Sequence, residues 1–477
     1  MKKTKLFLRS FALSAFFLTL AACSNDDDGD NGGGEDQLNI VEIALQTPEL
    51  TALVSALQAA DGDLVNVLQG DGPFTVLAPT NAAFTAFLAS NGFDSVDDVP
   101  SDVLAEILLN HVIAADITSS DLASAGTGYA STSATGAGGN NISIYFNATA
   151  GVRFNNVSAV TDGGADIDAS NGTIHIVDAV IPLPSILTHG AANPNFTSLV
   201  TALGAADGNL IDVLGGEGPF TVLAPDNAAF DAFLDGADLG GVNTAVLSRI
   251  LLNHVLSGAT SSTDLTGLGA GYTSTSVTGP GDNPMSLYFN ASEGVTFNGI
   301  SSVTEADIVG TNGIIHAVDA VIDLPTVVTF AAADPNFSTL VTALTELTPG
   351  TDFVSILSRT EGSNADGINP DFTVFAPTND AFAELTEIPG ETVLTDVLLH
   401  HVVGAANIAS GDLMMGAQTV PTLLQGQSIT ITLPGTGGNI ADVTDGAGNT
   451  DIGIIAVDVQ ADNGVIHVLN KVMLPNL

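Results

Sequence analysis

"FTVLAPTNAAF" occupies Phe74 to Phe84, and the same eleven positions recur as "FTVLAPDNAAF" from Phe220 to Phe230 and as "FTVFAPTNDAF" from Phe372 to Phe382. Phe-Thr-Val-Leu is bulky and β-favouring and reads as a buried strand. The Ala-Pro after it ends the strand, because proline has no N–H to give to a ladder. Thr80, Asp226 and Thr378 come next, with side chains suited to cap a helix, and Asn-Ala-Ala-Phe opens that helix with Phe84 and Phe87 on one side. A strand, a corner and a helix start facing one core explain the recurrence by packing alone.

Aligned on this segment, the whole chain repeats at the spacing of tandem domains rather than solenoid repeats. Each copy is expected to begin with an amphipathic helix: Leu50, Leu53, Val54 and Leu57 match Phe196, Leu199, Val200 and Leu203, then Phe337, Leu340, Val341 and Leu344. All three sets follow the i, i+3, i+4, i+7 pattern of one apolar stripe. Short apolar clusters follow at Leu64 to Leu68, Leu210 to Leu214 and Phe353 to Leu357. A later helix carries Val103, Leu104, Ile107, Leu108 and His111, then Val246, Leu247, Ile250, Leu251 and His254, then Val393, Leu394, Val397, Leu398 and His401. The spacing puts each histidine on the buried stripe near a helix C-terminus, where imidazole can engage free carbonyls. The last third of each copy is strand-rich and closes with "NGTIHIVDAVIPLP", "NGIIHAVDAVIDLP" or "NGVIHVLNKVMLP", in which Asn-Gly before a β-rich run signals a hairpin.

The totals agree with three domains. The chain has 477 residues, 45% apolar and 13% charged, enough for a real core in each copy. Its start reads as an export signal, with Lys2, Lys3, Lys5 and Arg9 ahead of an apolar stretch, Phe11 to Leu20, too short for a permanent membrane span. Leu20-Ala21-Ala22-Cys23 resembles a bacterial lipobox, which makes Cys23 the expected lipidated residue. It is the only cysteine, so no internal disulfide forms. The "SNDDDGDNGGGED" that follows reads as an acidic, glycine-rich tether, and it resembles the signal that directs lipoproteins of the Bacteroidetes to the outer face of the outer membrane. Beyond residue 22 only Arg153, Arg249, Arg359 and Lys471 stand against 53 acids, a net charge of −49. Nucleic acid and anionic headgroups are excluded as partners, because phosphate binding needs clustered Lys and Arg. A P-loop also fails for want of its lysine. We therefore expect a signal peptide at 1–22, a tether at 23–37 and domains at 38–184, 185–325 and 326–477.

The recurrent segment, the histidine after a Leu-Leu helix and the terminal "NGxIHxxD" pattern together resemble the fasciclin, or FAS1, domain, in three copies covering roughly residues 38 to 477. The resemblance implies an α+β unit, a wedge-shaped β-sandwich with helices packed along one side. It also implies a non-catalytic role in cell adhesion or extracellular-matrix contact. Some members bind carotenoids or related apolar ligands, so a carrier of an apolar small molecule is the alternative. Expected partners are an extracellular-matrix, polysaccharide or cell-surface component, with membrane attachment by a lipid anchor only. Animal adhesion members place a tyrosine of a proposed integrin-binding surface before the motif histidine. Asn110, Asn253 and His400 stand there instead, and Arg-Gly-Asp is absent, so an integrin reading has no support.

Two histidines per copy raise the question of metal: His111 with His175, His254 with His316, and His401 with His467. Zinc needs further ligands, and the chain has neither HExxH nor a short His-x-His, so these histidines are expected to be structural, with no metal or cofactor. No Gly-x-Ser-x-Gly elbow is present, and no catalytic residue is singled out. Asp162, Asp166 and Asp168, and Asp442, Asp445, Asn449 and Asp451, form acidic clusters without the EF-hand order and read as solvated turns. Tyr129, Tyr145, Tyr272 and Tyr288 are the only tyrosines, tryptophan is absent, and strand packing is the expected role of Tyr145 and Tyr288.

Overall fold

A computed structural model describes residues 37–477; the expected signal, Cys23 and nearly all of the tether lie outside the described residues. Three α+β modules follow one another, each built of mixed sheet flanked by helices. The repeated segment forms the strands Phe74–Pro79, Phe220–Pro225 and Phe372–Pro377. Thr80, Asp226 and Thr378 each accept a hydrogen bond from the backbone N–H three residues on, satisfying a donor that the helix start leaves open.

The amphipathic stripes lie on Thr51–Ala59, Thr197–Ala205 and Ser338–Thr345. Leu50, Phe196 and Phe337 sit just ahead of them in a 3-10 turn. An earlier element went unread: each module opens with a helix, Ile40–Gln46, Ile186–Ala192 or Val327–Ala333. These are two turns long, too short to declare a period. One reading is corrected outright. Val103, Val246 and Val393 were assigned to the buried stripe, yet all three are exposed in the first turn of their helices, and the stripe starts one residue later at Leu104, Leu247 and Leu394.

The repeated strand pairs in parallel with the closing strand, Gly172–Val177, Gly313–Val318 or Gly464–Leu469, and antiparallel with the short strand after the motif histidine. In the first and third modules the strands form sheets of eight and seven; in the middle module seven strands close into a barrel. Curling the sheet creates two cores per module. Leu50, Leu53 and Phe84 belong to the helix-side core of the first, whereas Leu77, Ile144 and Phe154 fill the inside of the curl. Adjacent strand residues point to opposite faces, so Val76 and Leu77 serve different cores.

The Asn-Gly pairs do form hairpins, and their geometry demands both residues. A methyl group at Gly172 would lie 1.9 Å from the Phe74 carbonyl oxygen, and one at Gly464 would lie 2.0 Å from that of Phe372. The asparagine side chain ties the hairpin to the helices. Asn171 Nδ2 donates to Leu68 O and Gly70 O at 2.8 Å each, and its Oδ1 accepts from Ile40 N at 3.0 Å. Asn312 and Asn463 make the corresponding three bonds in their own modules.

Candidate functional site

The motif histidines are buried at the ends of their helices. His111 Nδ1 lies 2.7 Å from Ile107 O and must carry the proton, while Nε2 accepts from Ile181 N at 2.9 Å. His254 repeats this with Ile250 O and Ile322 N, and His401 with Val397 O and Met473 N. Burial pulls each of the three down to about 4, against a smaller opposing pull from the backbone carbonyl, so the rings are neutral at pH 7. The preceding side chain clamps the same stretch. Asn110 Nδ2 donates to Ile181 O and Pro182 O, and Asn253 Nδ2 to Ile322 O and Asp323 O. Asn110, Asn253 and His400 are themselves buried, so this position presents nothing to a partner.

The second histidines lie on the closing strands and share none of these partners. His175 Nε2 donates to Ile117 O at 2.9 Å and Nδ1 accepts from Asp166 N at 3.3 Å. Asp166 in turn accepts from the N–H and hydroxyl of Ser119. The same order of Ser262, Asp307 and His316, and of Ser410, Asp458 and His467, recurs in the other modules. Serine, aspartate and histidine thus meet in every module, but in an order useless for catalysis. The hydroxyl donates to the carboxylate, and the imidazole nitrogen that would remove a proton is tied to a carbonyl. Among the described residues no three His, Cys, Asp or Glu converge as metal ligands.

Several carboxylates of the acidic clusters accept bonds from the chain itself, Asp166 from Ser119 among them. Asp442 accepts from Thr436 and Asn439, and Asp445 from Asn449 and Leu474 N. Three of the four cations beyond residue 22 are also engaged: Arg249 with Asp462, Arg359 with Asp366, and Lys471 with Asp451 and Glu384. The outward surface is left strongly negative.

Tyr145 and Tyr288 are buried in strand packing as expected, each opposite a cross-strand tyrosine, and it is these cross-strand partners, Tyr129 and Tyr272, that reach the next module. Tyr129 and Tyr145 pair with ring centroids 5.2 Å apart, and Tyr129 meets the edge of His189, from the opening helix of the middle module, at 5.4 Å. Tyr272 and Tyr288 repeat the pair at 5.1 Å, and Tyr272 meets Phe330 of the third module at 5.7 Å. Polar bonds repeat alongside. Ser143 Oγ accepts from Val309 N at 3.0 Å, and Ser286 Oγ accepts from Gln460 N at 3.0 Å. Tyr272 donates to Asp334 at 3.0 Å, and burial together with that carboxylate pushes its hydroxyl pKa up, so it stays protonated. Both junctions thus set a tyrosine pair of one module against the opening helix of the next.

One cavity stands apart. In the third module the opening, second and short helices enclose about 230 Å³ above the sheet, lined by apolar carbon; the corresponding spaces hold about 20 Å³ in the first module and about 30 Å³ in the middle one.

Comparison with known proteins agrees with this architecture. The Fasciclin domain family model matches residues 48–184, 194–325 and 335–475. An uncharacterized protein of Synechocystis sp., sll1735, is 38% identical over 143 residues, covering 30% of this chain and 96% of its own length. Human periostin is 26% identical over 427 residues, covering 87% of this chain and 45% of its own. Pig transforming growth factor-beta-induced protein ig-h3 is 26% identical over 450 residues, covering 92% and 58%. The chain thus spans about half the length of these two animal relatives. A solved FAS1 domain pair from the insect cell adhesion molecule fasciclin I shares 20% identity at a TM-score of 0.38, covering 59% of this chain and 97% of that one. The protein defined by this fold is a tandem array of three α+β modules. The chain belongs to the fasciclin domain family, with three tandem FAS1 domains.

Proposed function

We propose that the chain is a cell-surface adhesion or matrix-contact protein, held to the outer membrane by a lipid on Cys23 and facing outward. The observation that carries the reading is the tandem array itself: three fasciclin domains whose recurrent histidines are tied to backbone groups, joined by two matching junctions. Weak contacts made by several linked modules gain strength by avidity. A net charge of −49 beyond residue 22 favours cationic polymers, or anionic polysaccharide bridged by divalent cations. As the function of the whole array, a small-molecule carrier such as a carotenoid binder has less behind it, since two of the three corresponding spaces are filled by the protein's own side chains.

Attachment of cells with and without the gene, with purified ectodomain added back, tests the adhesive role. Equal attachment on every matrix surface tried would remove it. The anchor is tested separately: Cys23→Ser is expected to release the protein from membranes, and a variant that still sediments after a high-salt wash argues against lipidation.

A further inference from the structure

We propose that the junction between the first and middle modules is an acid-opened joint, released when His189 takes up a proton, while the junction between the middle and third modules stays closed. The two junctions match in their tyrosine pairs and serine bonds. They differ in the group that each opening helix presents to the module before it.

His189 is fully buried, with its ring against Tyr129 of the first module. Its Nε2 donates to Val309 O at 3.1 Å, which leaves Nδ1 as the bare nitrogen of the neutral ring, without a protein partner among the described residues. Val309 is also the residue whose N–H donates to Ser143 Oγ of the first module, at 3.0 Å. One residue thus holds the imidazole through its carbonyl and the neighbouring module through its amide. Ala137 N, which donates to Gly310 O at 3.0 Å, and Asn156 Nδ2, which donates to Ala192 O at 2.7 Å, complete the contact. A proton added at Nδ1 creates a buried charged donor with nothing to accept it, and water serves it only when the modules part.

The second junction lacks this group. The opening helices are in register, because Ile186 N meets Asn312 as Val327 N meets Asn463, and this puts Phe330 at the position of His189. Tyr272 donates to Asp334 and Arg249 pairs with Asp462 across the contact, so these polar bonds contain no imidazole. At the first junction Glu106 and Thr311 take the places of Arg249 and Asp462, which leaves it without that ion pair.

The surroundings set the sign. Burial lowers the His189 pKa from 6.5 to about 4, against a smaller opposing pull from the Val309 carbonyl. An opened ring returns to its ordinary value, so proton uptake accompanies opening: the closed joint is fully favoured above pH 6.5 and loses ground as pH falls toward 4. Among the titratable groups on the elements packed round it, Tyr129 and Tyr145 are raised by burial and stay protonated. His316, also lowered by burial, is tied within the middle module to Thr260 O and Asp307 N. Asp307 accepts from Ser262, and Asp212 lies exposed on the short helix. Glu305 works the other way: burial raises its carboxyl, so its protonation in acid favours the closed state.

Hydrogen exchange on the full chain between pH 7 and 5, corrected for the intrinsic exchange rate, tests the proposal. Ala137 and Val309, whose amides cross the first junction, should report an opening constant that rises by up to about tenfold per pH unit below 6.5. Gln460 at the second junction, and the strand Phe220–Pro225 in the core of the middle module, should keep their protection. His189→Phe copies the group that the second junction already packs and should abolish the rise; His189→Gln, a second replacement that does not titrate, should do the same. Phe330→His should transfer the rise to Gln460, and Glu305→Gln should steepen it at the first junction. Exchange at Ala137 and Val309 that is indifferent to pH in the unmodified chain, or a rise that survives in folded His189→Phe or His189→Gln, overturns the proposal. A rise shared equally by Phe220–Pro225 means that the middle module unfolds as a whole, and overturns it too.

Discussion

The first two modules and the third share a fold, a pair of histidines and an asparagine staple, yet they differ in their tyrosines and in the filling of their helix-side cores. Modules one and two carry a tyrosine pair on the strands that meet the next module, and their helix-side cores are filled. In the third, the strands Gly416–Pro421 and Ser428–Leu433 carry no tyrosine, and its core is open. The elements that make the fold are kept in every copy, because each module must close on itself. The aromatic pairs lie at the two junctions, where Tyr129 meets His189 and Tyr272 meets Phe330.

The largest expected effect lies in what all three modules share. His254→Ala leaves Ile250 O and Ile322 N unpaired and opens a void, and it should destabilise the middle module by about 3–5 kcal/mol. His401→Ala should cost the third module a similar amount. A denaturant titration in which His401→Ala costs far less would break the claim that the shared machinery is equivalent.

Next comes the junction. Tyr272→Ala removes the ring against Phe330 and the bond to Asp334, and should weaken coupling of the last two modules by about 2–4 kcal/mol. Calorimetry should then resolve their melting into separate transitions; a single unchanged transition would mean the tyrosines do not join them.

The two junctions should also differ in pH response. His189, which takes the place of Phe330, is buried, and burial lowers its pKa from 6.5 to about 4. A lowered histidine pKa means the unfolded chain takes up the proton first. Stability is full above pH 6.5, falls as pH drops from 6.5 toward 4, and levels off below. His189→Phe should remove up to about 1.4 kcal/mol per pH unit of that slope. Melting temperatures followed between pH 7 and 4 that keep the same slope in the variant would place the sensitivity elsewhere.

The smallest effect tests the corrected valine. Val246→Thr, on an exposed face, should alter stability by no more than about 0.5 kcal/mol, whereas Leu247→Ala one residue later should cost about 2–5 kcal/mol. Comparable losses at both positions would restore Val246 to the core.

The sequence by itself determined the module count, the strand-corner-helix unit with its caps at Thr80, Asp226 and Thr378, the burial of His111, His254 and His401, and the hairpins at Asn-Gly. All of these rest on local geometry: a proline's missing donor, a cap three residues from its acceptor, a stripe at helical spacing. Only the tertiary structure decided that Asn171, Asn312 and Asn463 staple elements some hundred residues apart, because a side-chain amide carries no mark of its distant carbonyls. It also assigned the tyrosines to the junctions. A ring on a strand looks the same in sequence whether it covers its own core or the next module's. The open cavity was equally out of reach, since it depends on where a short helix comes to rest, and volume is a property of separation rather than of residue type.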